Sequence, residues 1–259
     1  MTSHQRRVHR QFDPRAAAYL RSEVHARGAD LRLAQELIAG ALAPGARALD
    51  VGCGAGHLTY LLAERFANVA AVDLSGRMLS SVRATARERR LEGVHTHEAA
   101  AEALPFEDGA FHLVATRYSA HHWQHWEAAL GQMRRVVKAG GHGLFIDSLA
   151  PDDALADTHL QAIELLRDPS HVRNRSAAEW QAGLAAAGFE IVRTARWRVR
   201  IDFASWIARM RPPARKVAMI RQLESEAPQE VREALELEPD GSFMLPVGLW
   251  WARAGHLDP

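Results

Sequence analysis

A chain of 259 residues that is 47% hydrophobic can bury a full core, and 32 Lys and Arg against 31 Asp and Glu leave a net charge of only +1. That balance argues against a nucleic-acid partner, and no run of about 20 apolar residues exists to span a membrane as a helix. The single cysteine, Cys53, excludes an internal disulfide and suits a reducing compartment, so the expectation is one cytoplasmic domain.

Along the chain, Leu33, Leu37, Ile38, Ala41 and Leu42 recur at helical spacing until Pro44-Gly45 breaks the helix. The short apolar run from Ala46 to Val51 reads as a buried strand. A helix through Leu58, Leu61, Leu62 and Phe66, a strand at Val69 to Val72 and a helix from Met78 to Arg90 complete a βαβ unit. Further strands are expected at Val94 to Glu98, Phe111 to Thr116 and His142 to Asp147, with a helix near His125 to Val137 between the last two. Strands alternating with helices predict a parallel sheet covered on both faces, its ligand edge at the C-terminal ends of the strands.

After Asp147 the pattern changes. A helix from about Asp152 to Arg167 stops at Asp168-Pro169, and Ser176-Ala-Ala-Glu179 is a capping box that opens another, to about Ala187. Phe189 to Val199 comes next as a long strand. Asp202 to Asp240 reads as an amphipathic helical insertion, with Phe203, Trp206, Ile207, Met210, Met219 and Ile220 turned inward as a lid over the ligand edge. Phe243 to Ala252 is the last strand, and Pro246 suggests that part of it lies at an edge or a bulge.

The strand-to-helix turn Leu49-Asp-Val-Gly52-Cys-Gly54-Ala-Gly56 lets the backbone approach a ligand closely. A dinucleotide fingerprint would place its third glycine at position 57, which is His57. The spacing instead is G-x-G-x-G, with one carboxylate, Asp50, just before it and a second, Asp73, at the end of the next strand. A carboxylate at that strand end accepts both hydroxyls of a ribose.

This combination resembles the class I S-adenosylmethionine-dependent methyltransferases. Val72-Asp-Leu-Ser75 is similar to their ribose motif, Ala101-Glu-Ala-Leu-Pro-Phe106 to their adenine loop, Phe111-His-Leu-Val114 to their fourth strand, and Val137-Lys-Ala-Gly-Gly141 to the turn before the fifth. Leu166 to Arg173, the Ser176 to Trp180 cap and Leu245-Pro-Val-Gly-Leu249 resemble the small-molecule subgroup related to the ubiquinone/menaquinone C-methyltransferases. The resemblance implies a Rossmann-like, doubly wound, mostly parallel seven-stranded sheet in a single domain. Residues 1–42 would form an N-terminal helical cap, 43–150 the donor-binding half, and 151–259 the substrate-side half with the insertion at about 202–240. It assigns Asp50 and Gly52, with Gly54 and Gly56 of the same loop, to the methionine end of S-adenosylmethionine. Asp73 and Leu74 go to its ribose, and Ala101, Glu102 and Met78 to its adenine. Ala100 stands where the family has an acid.

Methyl transfer also needs an acceptor in line with the methyl group and often a base to take its proton. The stretch Ser119-Ala-His-His-Trp-Gln-His-Trp126 comes directly after the fourth strand, so His121 and His122 are the candidate bases, with Arg117 on the same edge. A metal site is disfavoured because no cysteine or carboxylate cluster lies nearby in sequence, and His125 belongs to the next helix. Tyr19 and His25 of the N-terminal cap are further catalytic candidates, and His171, Arg173 and Trp206 are candidates for the substrate. The acceptor is expected to be a small, partly apolar or aromatic molecule, with carbon or oxygen favoured over nitrogen, and either a monomer or a homodimer fits. The alternatives are a nicotinamide-dependent oxidoreductase and a module that binds S-adenosylmethionine without transferring its methyl.

Overall fold

The computed structural model describes residues 1–13 and 28–255. Tyr19 and His25 lie outside the described residues. A helix α1 (Ser3–Phe12) is opened by a capping box in which the Thr2 side chain accepts from Gln5 N and the Gln5 side chain from Thr2 N. After α2 (Ala29–Ala41) come β1 (Arg47–Val51), α3 (His57–Ala63), β2 (Asn68–Asp73), α4 (Gly76–Glu88), β3 (Val94–Glu98) and β4 (Phe111–Arg117). A 3-10 turn at Ala120–His122 leads to α5 (Trp126–Val136), β5 (Val137–Ser148), α6 (Ala154–Arg167), α7 (Ala177–Ala186) and β6 (Phe189–Ile201). The insertion is α8 (Phe203–Met210), α9 (Ala214–Ser225) and α10 (Gln229–Leu235), and β7 (Phe243–Ala254) closes the fold.

The seven strands form one sheet in the order β3-β2-β1-β4-β5-β7-β6. β1 to β5 pair in parallel, and β7 enters antiparallel between β5 and β6. The expected architecture is therefore present. Between Phe111–Val137 and Leu113–His142 the β4–β5 register slips, and Gly140 there has φ 72°. The predicted turn at Lys138 to Gly141 is thus a bulge inside a longer strand. Pro246 lies, as expected, in a part of β7 that is an edge on its β5 side, since only β6 pairs with it there. It sits one residue past the last β5–β7 pair, Ser148–Val247, and its carbonyl accepts from Leu149 N at 2.8 Å. Its missing N–H falls where that ladder has ended.

One face of the sheet packs Leu31, Ile38, Leu58, Leu62 and Phe66 of α2, α3 and the turn after it. The other packs Trp126, Leu130, Met133, Trp180 and Leu184 of α5 and α7. Trp180 is 1% exposed, stacked on Trp250 at 5.0 Å and edge-on to Trp126 at 5.2 Å. The insertion builds its own core against α6, from Leu160, Ile163, Phe203, Trp206, Ile220, Val231 and Phe243. Met219, expected inside, is 51% exposed, because α9 turns Ile220 into that core instead, flanked by Val217 and Leu223. No helix among the described residues is long and apolar enough to cross a membrane.

Truncating Trp180 to Ala empties the centre of the three-indole stack and is expected to cost about 3–5 kcal/mol, measured by chemical denaturation. A loss below about 1 kcal/mol would mean that this stack does not anchor α5 and α7.

Candidate active site

Parallel pairing brings the C-terminal ends of β1, β2, β3 and β4 to one edge, and a cavity of about 1050 Å³ opens there. Its floor is the glycine loop. Gly52 has φ 71°, and a Cβ on it would stand 1.8 Å from Ser119 Oγ. Gly54 (φ 50°) has nothing within 4 Å of that position and faces open space. Gly56 (φ 88°) caps α3 under the Tyr60 ring and does not line the cavity, so its work is to turn the chain.

Carboxylates set the electrostatics of this cavity. Asp73 lines it while accepting from Gly54 N and Ser75 N, each at 2.8 Å, and burial raises its pKa. Asp50, 1% exposed, accepts from Thr59 Oγ1 at 2.6 Å, and burial pushes it up to about 7. Glu102 also lines the wall, with Ala101, Leu74 and the buried Met78. Arg117 lines the cavity too, its guanidinium paired with buried Asp30 of α2 and set over the Tyr118 ring at 4.8 Å. A guanidinium cannot take up a proton, so Arg117 contributes charge and shape and is not a base. Burial, Asp73 and Asp50 push the Cys53 thiol well up, so it is no nucleophile. A cavity walled by Asp50, Asp73 and Glu102 suits a hydroxyl-bearing, cationic ligand and repels a pyrophosphate. That fits S-adenosylmethionine and counts against a nicotinamide dinucleotide.

A second cavity of about 730 Å³ adjoins the first, and Phe12, Tyr118 and His122 line both. Its walls come from the 3-10 turn (His121, His122), α6 (Glu164, Arg167), β6 (Val199, Ile201), α8 (Trp206, Arg209) and β7 (Leu245, Val247). The insertion thus supplies a side wall here through Trp206, whereas Met210 is fully buried and Met219 faces outward. The Arg167 guanidinium lies 4.8 Å from the Trp206 ring centroid, and its Nε donates to Trp206 O at 3.1 Å. Tyr118, at the boundary, holds φ 51°, an uncommon backbone conformation kept in place by its N–H bond to Ile146 O.

The histidine cluster separates into distinct environments. His121 Nδ1 donates to Asp147 Oδ1 at 2.6 Å, and that carboxylate raises the imidazole pKa against the opposing effect of burial. His122 Nδ1 donates to Ser170 O at 3.0 Å, and burial together with neighbouring His121 pushes it down to about 4. His125 caps α5 without a side-chain bond and lines neither cavity. Among the described residues, no group of three or more His, Cys, Asp or Glu is arranged to hold a metal ion.

Two substrate candidates need correction. His171 is 6% exposed, bonds Gln161 Oε1 at 2.8 Å through Nε2, and is driven down to about 2 by burial and the adjoining histidines. Arg173 pairs with Asp157 at 2.8 Å and Glu179 at 3.5 Å. Neither residue lines either cavity, because their loop folds back on α6 and α7. Sequence reasoning missed Asp147, Glu164, Arg167, and His4, Val8 and Phe12 of α1. Asp147 had a usable signal, since it ends the predicted fifth strand at the ligand edge.

A family model described as a methyltransferase domain matches residues 49–145. The uncharacterized methyltransferase YcgJ of Bacillus subtilis is 33% identical over 222 residues, 86% of this chain and 87% of its own length. Its crystal structure superposes with a TM-score of 0.83 at 30% identity, over 89% of this chain and all of that one. The uncharacterized protein YafE of Escherichia coli is 39% identical over 192 residues, 74% of this chain and 93% of YafE. The ubiquinone/menaquinone biosynthesis C-methyltransferase UbiE of Xanthomonas oryzae matches at 38% over 108 residues, 40% of this chain and 43% of its own. The chain belongs to the class I S-adenosylmethionine-dependent methyltransferases. It is an enzyme, and S-adenosylmethionine is its methyl donor.

Replacing Gly52 with Ala adds a Cβ against Ser119 Oγ and strains a left-handed residue. S-adenosylhomocysteine affinity, read by calorimetry, is expected to fall at least about tenfold, or ~1.4 kcal/mol. Adding Ser119→Gly should recover part of it, and an unchanged affinity in the single variant would contradict this account of the loop.

Proposed function

We propose that this enzyme methylates a small, partly apolar acceptor held in the second cavity, at a carbon or oxygen atom that gives up a proton to His122. The observation that carries the reading is the shared wall: Phe12, Tyr118 and His122 line both cavities, so the two compartments meet at a histidine. Asp50, Asp73, Leu74, Met78, Ala101 and Glu102 hold the donor, with Gly52 and Gly54 giving it room. When bound, S-adenosylmethionine supplies an electrophilic methyl group on a sulfonium.

The rest of the work is positioning and proton management. Val199, Ile201, Trp206, Leu245 and Val247 present an apolar surface for the acceptor's body, and Glu164, Arg167 and Arg209 give it a polar end to be oriented by. The Nδ1–H of His122 is committed to a backbone carbonyl, so its lone pair is on Nε2. That nitrogen is the proton acceptor. A base held near 4 is weak, and it takes a proton only as the new bond forms or from an acceptor that is already acidic. This supports an activated carbon or an acidic hydroxyl and disfavours an ordinary amine, which carries its proton to higher pH. The names of relatives such as UbiE lean toward carbon. Cavities of this size suit a small molecule.

The test is transfer of labelled methyl from S-adenosylmethionine to a panel of phenolic, enolic and carbon-acid acceptors. With a responding acceptor, His122→Asn is expected to lower kcat by about 100-fold or more while S-adenosylhomocysteine affinity stays within about twofold. Because His122 must be neutral to act and is protonated only near pH 4, the acidic limb of the rate profile should fall near 4 and not near the ordinary 6.5. Full turnover in His122→Asn would remove it as the base.

A further inference from the structure

His121 and His122 are consecutive, with ring centroids 4.2 Å apart, yet their Nδ1 atoms face different partners. Asp147, 1% exposed, accepts from Ala120 N on Oδ2 and from Ser148 N on Oδ1, each at 2.8 Å, and from His121 Nδ1 at 2.6 Å. Two peptide N–H donors favour the ionised form of this carboxylate, so the hydrogen of the His121 contact lies on Nδ1. His122 Nδ1 meets the Ser170 carbonyl, a neutral acceptor, with Ser170 Oγ at 3.5 Å. Both Nε2 atoms are without a hydrogen bond to any of the described residues, and both side chains line the second cavity.

The other charged groups around the pair favour His121 more broadly than His122. Glu164 of α6 and Asp168, which Ser170 N and Oγ cap, both favour a proton on His121, while Asp168 and Asp147 also favour one on His122, where burial and the His121 charge outweigh them. His171, whose ring centroid is 5.9 Å from that of His121, is neutral, and Arg167 and Arg173 press further against its protonation. Two imidazolium rings this close repel, so a charge fixed on His121 disfavours one on His122 in the resting enzyme, and the doubly charged state arises only when the acceptor gives up its proton.

We propose that Asp147 is a positioning residue that divides the labour between the two histidines: it holds His121 protonated, with Nε2–H as a donor toward the acceptor, and thereby keeps His122 neutral as the proton acceptor. The inference rests on the methyl-transfer reading of the second cavity. The acceptor then carries two features, an oxygen that receives the His121 hydrogen bond and a protonated reacting atom beside His122. In the transfer, the electron pair of that atom's bond to hydrogen becomes its bond to the methyl carbon. The proton moves to His122 Nε2, and the pair of the broken carbon–sulfur bond stays on sulfur. His121 keeps its own proton throughout.

The experiment is two-dimensional proton–nitrogen NMR of the full chain with labelled histidine, titrated from pH 4 to pH 9, with His121→Gln and His122→Asn assigning the signals. In the unaltered protein His121 should lose its Nε2 proton only above the ordinary 6.5, while His122 stays in the neutral Nδ1–H form down to about pH 5. Asp147→Asn removes the charge and keeps one carbonyl oxygen, enough for either Ala120 N or Ser148 N but not both. It should lower the His121 midpoint by at least one pH unit and raise that of His122. A His122 midpoint above that of His121 in the unaltered protein overturns the proposal, even if the variant fails to fold. So does a His121 midpoint that Asp147→Asn leaves in place. No acceptor is needed for this measurement, so a failure of the methyl-transfer reading appears in the turnover of His122→Asn and not here.

Discussion

Parallel pairing of β4 with β5 is the constraint on which the site depends. The ladder runs to Arg117 opposite Ile146, so both chains leave the sheet at the same level and on the same edge. The residues at the two strand exits are then forced into contact: the turn carrying His121 and His122 on one side, Asp147 and Ser148 on the other. A separation of 26 residues in sequence becomes 2.6 Å in space. The left-handed Tyr118 is part of the same device, because its N–H still bonds Ile146 O while the chain turns away toward the cavities.

The two halves of the molecule use that edge differently. At β1 and β2 the chemistry is backbone geometry plus carboxylates: glycines that leave room beside the cavity, Asp50 buried behind them and Asp73 half-buried in its wall. At β4 and β5 it is imidazoles set against fixed partners. The helical segments after β5 and β6 then meet each other, burying Leu160, Ile163, Trp206 and Ile220 in a core separate from those of the sheet. That packing stands Trp206 and Arg167 as one wall of the second cavity. The second cavity is therefore built from segments distant in sequence, while the floor of the first is built from consecutive strand ends.

This difference explains how much of the site was legible in the sequence. Asp50, Gly52 and Asp73 come at or just after strand ends, so local pattern placed them at one edge; the resemblance to the methyltransferases added Leu74, Ala101 and Glu102, and all six line the first cavity. Gly56 belongs to the same motif but works beneath it, as a turn. His171 and Arg173 were placed at the correct edge by topology, but topology does not give side-chain direction. Gln161, Asp157 and Glu179 draw them into the protein, through contacts that no periodic pattern announces. The helix α1 had no apolar run to announce it, yet it turns His4, Val8 and Phe12 onto the first cavity. Its capping box at Thr2 and Gln5 was the available signal.

The central claim is that donor and acceptor occupy adjoining compartments that meet at Tyr118 and His122. It is tested most directly by a crystal structure with S-adenosylhomocysteine bound. The account predicts the ribose hydroxyls on Asp73, the adenine beside Met78 and Ala101, and the sulfur at the boundary lined by Phe12, Tyr118 and His122, with the second cavity left open beyond it. A sulfur turned away from that boundary, or a donor that fills the second cavity, would contradict it.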